Sequence, residues 1–280
     1  MNQPKTQWNV IDLAFFFFML VIAIILLSPV FWLVSASFQG SGEIFKVPFK
    51  WIPNHISLDN YINAWNVGKI GEALWNSICV SLLMLVFHVF LCTFSGYVIV
   101  KHSFKYKNIL IMFILATMML PQEITFLPIY NVVKSMGLIN SYLGLAIPFF
   151  YSGFGVFLMM QFARSIPNEI IESAKIDGSS EFSIFLRIVM PMMRSSMAAL
   201  SILAFSFIWN EFAWSRIAII SDSMRTLPIA LSFLAFSSDN STNITALLPS
   251  SVIAIAPVMI LFFIFQRQFI ESVASSGVKG

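Results

Sequence analysis

Two carboxylates interrupt apolar stretches of this chain: Glu123, within Leu120-Pro-Gln-Glu-Ile124, and Glu211, within Ile208-Trp-Asn-Glu-Phe212. Each has an amide beside it, Gln122 or Asn210, and the second pair lies between Trp209 and Trp214. These groups supply the hydrogen bonds and aromatic faces that hold polyhydroxylated solutes such as sugars, although an indole at a lipid–water boundary is equally an anchor. A charge in hydrocarbon costs about 2.5–3.5 kcal/mol on insertion scales, so a carboxylate persists there mainly where it faces water or a partner. The competing reading is that both carboxylates mark helix ends solvated by headgroups and water. Catalysis has less support. His88 has no partner for a Ser/His, His/Glu or paired-Asp constellation and reads as a satisfied buried imidazole. Cys79 and Cys92 share one apolar run and read as reduced buried thiols rather than a disulfide or a zinc site. No catalytic residue and no metal site are expected.

The elements that position these residues are membrane helices. Of 280 residues, 58% are apolar and 10% charged, against roughly a quarter charged in a soluble domain. Thirty Phe and a mean hydropathy of +0.85 suit helices facing lipid. The net charge of +3 is spread thinly, which gives nucleic acid no basic patch to bind. Runs able to cross about 30 Å of hydrocarbon lie at 13–34, 78–100, 109–130, 142–162, 197–214 and 247–265, so the fold class is all-α integral membrane with six transmembrane helices. The first run carries no charge and no Ala-x-Ala-like cleavage site, and is expected to remain as a helix. Pro121-Gln-Glu and Asn210-Glu interrupt the third and fifth runs. The organisation is therefore a cytoplasmic N-terminus at 1–12, a six-helix domain at 13–270 and a cytoplasmic tail at 271–280. With both termini inside, Lys5, Lys101, Lys105, Lys107, Arg164, Lys175, Arg187, Arg194, Arg267 and Lys279 face the cytoplasm. The other six basic residues, Lys46, Lys50, Lys69, Lys134, Arg216 and Arg225, are diluted over longer outer loops, in line with the positive-inside rule. Counted at about 1.5 Å per residue from the cytoplasmic starts, Glu123 and Glu211 each lie about 21 Å up their spans, where they could line one cavity.

Between the fourth and fifth spans, residues 165–195 are neither basic nor Gly/Pro-rich enough to be a plain linker. Pro167 suits a first helical turn and Gly178 the left-handed residue that ends a helix. The short helix between them, Pro167 to Asp177, turns Ile170, Ile171 and Ala174 to one face. A second helical stretch, Glu181–Val189, precedes Pro191. The segment is either a hairpin lying on headgroups or a docking surface for a cytoplasmic partner.

Glu172-Ser173-Ala174-Lys-Ile-Asp177-Gly178, followed by Ile188-Val-Met-Pro191, resembles the EAA loop of ABC importer permeases. Ile166-Pro-Asn-Glu169, Asp59-Asn-Tyr61 and Trp209-Asn-Glu-Phe-Ala-Trp214 resemble the carbohydrate-importing branch, in particular the shorter pore subunit of the maltose transporter. The resemblance covers about residues 10–280. Two positions depart from the pattern: Ser173 replaces Ala and Met190 replaces Leu, both small or volume-conserving changes. The resemblance implies a type I importer permease fold with a cytoplasmic coupling helix. It implies ATPase-coupling roles for Glu172, Ser173, Ala174, Asp177, Gly178 and Pro191, with Ala174 facing the ATPase cleft. It also implies as partners a second homologous permease subunit, an ATPase dimer that binds ATP and Mg, and an extracytoplasmic solute-binding protein, in a bacterial cytoplasmic membrane. No cofactor is expected on this chain, which has no Gly-x-x-x-x-Gly-Lys-Ser/Thr phosphate loop.

The substrate-pathway candidates are then Gln122, Glu123, Trp209, Asn210 and Glu211. The outer segment Ser221–Leu248 has a polar tip whose Ser238, Asp239, Asn240 and Asn243 are candidate contacts for the binding protein. The tail Gln266–Gly280 is expected to lie against the ATPase. Carbohydrate-branch features also fit polyol or glycerol-phosphate uptake. A secondary transporter, the remaining alternative, would want midplane coupling carboxylates and an inverted repeat, and no internal repeat is seen.

Overall fold

The computed structural model describes residues 9–44, 46, 48, 50–66, 68–236 and 240–277, with side chains described for all of these except residues 41, 240–243 and 267–277. Every regular element among the described residues is helical. In chain order these are α1 (Val10–Ser37), α2 (Ser41–Ile44), α3 (Asp59–Asn66), α4 (Ile70–Lys101), α5 (Lys107–Thr117), α6 (Gln122–Ser135), α7 (Tyr142–Ala146), α8 (Gly153–Ala163), α9 (Asn168–Ile176), α10 (Glu181–Ile184), α11 (Met190–Met192), α12 (Arg194–Trp209), α13 (Ala213–Ala218), α14 (Leu227–Phe236) and α15 (Asn240–Gly277). Three of them are long and apolar enough to cross a membrane: α1, α4 and residues 244–266 of α15. Three further spans form only if bent pairs are joined: α5 with α6 at 105°, Tyr142–Phe149 with α8 at 53°, and Glu181–Met192 with α12 at 79°.

Each bend has a local cause. Pro121 has no N–H to continue α5 and drives the residue before it out of the helical region, so the expected run 109–130 breaks there. Pro148 sits in a 3-10 turn, Ile147–Phe149, after which α8 restarts with the Ser152 hydroxyl accepting from Gly155 N–H at 2.9 Å. The third break falls at Met193, where ψ of 7° leaves the helical region between α11 and α12; a π turn, Phe185–Val189, and Pro191 lie just before it. The expected fifth run, 197–214, is also shorter: α12 ends at Trp209, and α13 is a separate helix. The stretch 221–248, expected on the outer side, is not a plain loop, since Leu227–Phe236 is helical, and the α15 backbone continues to Gly277 through most of the expected tail.

The described residues fall into two compact units, those up to Lys69 with those between Phe233 and Ile253, and those between Ile70 and Ser232 with those from Ala254 on. In the first, α1 is apolar all round and its most hydrophobic window has no buried residue, which suits a helix bathed in lipid. Its C-terminal end is held by polar contacts. There the Asn60 amide donates to the carbonyls of Ser37 at 3.0 Å and Gln39 at 2.8 Å, and the Ser37 and Tyr61 hydroxyls lie 2.8 Å apart. The Asn60-Tyr61 pair thus closes the C-terminus of the first helix.

In the second unit α4 is the central element. Val80, Met84, His88, Cys92 and Gly96 recur every four residues on its buried side. A side chain at Gly96 would run into the Met159 backbone at 2.9 Å, and one at Gly155 into Cys92 Sγ at 2.8 Å. Small residues therefore let α4 and α8 pack backbone to backbone, the usual way membrane helices gain contact without a hydrophobic driving force. One core gathers Tyr97, Phe185 and Met193, and another gathers Phe126, Phe149 and Trp214.

Candidate functional site

The segment 165–195 builds its short helix as α9, with Pro167 one position before the first helical residue. Gly178 has φ +80°. Its N–H donates to Lys175 O and the Ser179 N–H to Ala174 O, both at 3.0 Å, so the helix closes in a Schellman turn that needs a left-handed residue there. The faces differ from expectation. Ile171 and Ala174 are buried in the core that includes Ile184 and Phe185, whereas Ile170 lies on the open side. Ala174 therefore packs within its own chain and does not face outward into a partner's cleft. The exposed surface includes Glu169, Ile170, Glu172, Ser173, Lys175 and Ile176, with Ile176 86% exposed. Asp177, Gly178 and Pro191 are exposed too.

Polar contacts moor this helix to α4. Lys101 Nζ donates to the Ile166 carbonyl and to Asn168 Oδ1. Lys175 Nζ lies 2.6 Å from Glu181, whose other oxygen is 3.6 Å from His102 Nε2. The Glu181 hydrogen bond holds the Lys175 ammonium above the usual lysine range. Both partners are half-exposed, so the pair adds little stability and mainly sets geometry.

The pathway candidates separate. Glu211 is buried, and its Oε1 accepts from Trp214 N–H at 2.6 Å while Oε2 accepts from the Ser215 N–H at 3.0 Å and the Ser215 hydroxyl at 2.8 Å. That is a carboxylate saturating the free donors at the start of α13, where the helix dipole also favours it. Trp209 and Trp214 are buried as well, donating to Ala254 O at 2.9 Å and Gly144 O at 3.2 Å. They are structural anchors rather than open aromatic faces. Asn210 is exposed and donates to Ser206 O at 2.8 Å, and Glu123 is exposed in the first turn of α6. Glu123 and Glu211 therefore do not line a common cavity within this chain. Ser238 and Asp239 lie outside the described residues, as do the side chains of Asn240 and Asn243.

Of the five, Gln122 borders a cavity of about 320 Å³ in the second unit, while Trp209 and Glu211 border a much smaller space beside Ser77 and Thr226. The polar lining of the larger one is His88, Gln122, Thr125, Tyr151 and Ser152, and its aromatic lining includes Phe126, Phe149, Phe154 and Phe207. Its size, mostly apolar walls and few polar groups match a small-molecule site. Sequence reasoning missed Thr125, Tyr151 and Phe207, because the broken helices that bring them together leave no periodic trace. Ser152 before Gly153-Phe-Gly155 was a readable helix-start signal. Two polar staples were also missed, one from the buried Asn76 and one from the half-buried Asn140. Asn76 donates to Ser223 O at 2.8 Å and Arg225 O at 2.9 Å, and Asn140 Oδ1 accepts from Ile220 and Ser221 N–H at 3.0 Å.

Residues 88–275 match the family model described as binding-protein-dependent transport system inner membrane component. The arabinooligosaccharides transport system permease protein AraQ of Bacillus subtilis is 36% identical over 283 residues, covering all of both chains. The sn-glycerol-3-phosphate transport system permease protein UgpE of Brucella abortus is 28% identical over 92% of this chain and 94% of its own. A chain from the crystal structure of a bacterial ABC transporter involved in import of the acidic polysaccharide alginate aligns with a TM-score of 0.82 at 16% identity, covering 96% of this chain and all of that one. That likeness is one of fold. With its apolar helices and its full-length relatives, this chain belongs to the family of binding-protein-dependent transport system inner membrane components, the multi-pass permease subunits of ABC importers.

Proposed function

We propose that this chain forms half of the translocation pathway of an ATP-driven importer for a neutral oligosaccharide. A second homologous permease subunit completes the pore, an extracytoplasmic solute-binding protein delivers the sugar, and a separate ATPase dimer binds ATP and Mg. The three bent pairs each act as one span, giving six crossings with both termini and residues 165–195 in the cytoplasm. The exposed surface of α9, with Glu172, Ser173, Asp177 and Gly178, docks on the ATPase, and the tail of α15 lies beside it. Ser238, Asp239, Asn240 and Asn243 contact the binding protein, and Gln122, Glu123 and Asn210 lie along the solute's route, with Trp209 and Glu211 shaping it from behind.

The observation that carries the substrate class is full-length similarity to an arabinooligosaccharide permease, together with a cavity whose lining contains hydroxyls, an amide and aromatic rings. Uptake of a glycerol-phosphate-type solute is the second reading, motivated by the similarity to UgpE. The cavity lining includes no Lys or Arg to pair with a phosphate, and an unpaired dianion in an apolar site is costly. Competition assays on the reconstituted complex separate the two. Labelled arabino-oligosaccharide uptake should be blocked by unlabelled oligosaccharide and not by glycerol phosphate; the reverse ranking would favour the phosphate reading.

A further inference from the structure

The cavity owes its shape to the 53° break between Tyr142–Phe149 and α8, which carries Phe149, Tyr151, Ser152 and Phe154 into its wall. A break inside a membrane helix frees backbone carbonyls that must find donors elsewhere. Here α4 supplies one. His88, 5% exposed, places Nδ1 2.7 Å from the Phe149 carbonyl, the last residue before the break. A carbonyl only accepts, so Nδ1 carries the hydrogen of this contact. One turn on, Cys92 Sγ is 4.0 Å from the Ser152 carbonyl. On the far side Gly155 closes against the same two residues, since a β-carbon there would lie 2.9 Å from His88 Nε2. His88 is thus gripped from both ends of the break while also bordering the cavity.

We propose that His88 is the positioning residue of the solute cavity: by donating from Nδ1 to Phe149 O it fixes the 150–152 turn, and so sets which saccharides the chamber accepts. This rests on the reading of the chain as a saccharide permease. It makes His88 a determinant of transport selectivity rather than the inert core histidine that an isolated His in an apolar run suggests.

The test uses the complete importer in proteoliposomes, with internal ATP, external binding protein and labelled oligosaccharides of two lengths. Asparagine carries its amide N–H near the Nδ1 position, glutamine places it near Nε2, and leucine has neither. H88N should stay within about threefold of wild type in uptake and in the ratio between the two lengths. H88L and H88Q should change that ratio at least tenfold, with binding-protein affinity and subunit assembly unchanged. A residue with only a packing role would lower yield or heat stability in all three without moving the ratio. If H88L does not assemble, the comparison rests on H88N against H88Q. Equal ratios for those two, or failure of both to assemble, overturns the proposal. If wild type takes up no saccharide, it is the reading of the chain as a saccharide permease that falls.

Discussion

Glu211 shows how a residue's type can be read correctly and its task misread. A carboxylate in an apolar run demands compensation, and from sequence the candidate was water in a solute route. The structure supplies three donors from Trp214 and Ser215 instead. Glu211→Ala leaves the two backbone donors unpaired in a buried site and should lower stability by about 1–3 kcal/mol. Glu211→Gln, which still accepts through one oxygen, should lose less, and thermal unfolding of the detergent-purified complex checks the order. Gln122 and Glu123 differ in the opposite sense. Gln122 borders the cavity and Glu123 does not. Gln122→Ala should therefore raise the half-saturation for uptake several-fold more than Glu123→Ala does, with neither changing unfolding appreciably. Equal effects would mean that the route runs outside this cavity.

At the scale of elements, α9 separates packing from docking. Ala174→Trp must overfill a core position of its own chain, costing about 1–3 kcal/mol, and should reduce the yield of folded protein. Ser173→Trp, on the exposed side, should fold normally and lose co-purification with the ATPase. A β-carbon at Gly178 would meet no atom within 4 Å, so the cost of Gly178→Val lies chiefly in the left-handed backbone, at least roughly 1–2 kcal/mol for a β-branched side chain. It should stay in the membrane and weaken stimulated hydrolysis. Wild-type association in both Ser173→Trp and Gly178→Val would refute docking through this surface. Much of this helix was legible beforehand, because Pro167, Gly178 and the Ile171/Ala174 spacing are local signals. Which side meets the partner was not, since Ile170 and Ile171 are equally apolar and only tertiary packing chooses between them. The bends in the third and fourth spans follow the same division. Pro121 and Pro148 announce a break, but its angle is fixed by what packs against it. The Gly155 and His88 contact joins residues 67 positions apart, beyond the reach of any window on the sequence.

For the whole molecule, composition pointed to lipid, since helices facing it cannot hide their apolar character; three of the described helices are long and apolar enough to cross by themselves, and the remaining expected crossings depend on joining bent pairs. The proposed partners rest on the loop that resembles the EAA motif, because a surface shaped to fit another chain has no internal signature. Topology is testable in intact cells. Ser179→Cys, exposed and beyond the α9 turn, should resist an impermeant thiol reagent until the membrane is opened, and immediate labelling would invert the orientation. The most direct test of the account is uptake of labelled arabino-oligosaccharide into proteoliposomes holding this chain with its partner permease and ATPase, with binding protein outside. The account predicts accumulation that requires ATP inside and binding protein outside, and that disappears when this chain alone is omitted. Accumulation driven by an ion gradient without ATP, or unchanged when this chain is left out, would contradict it.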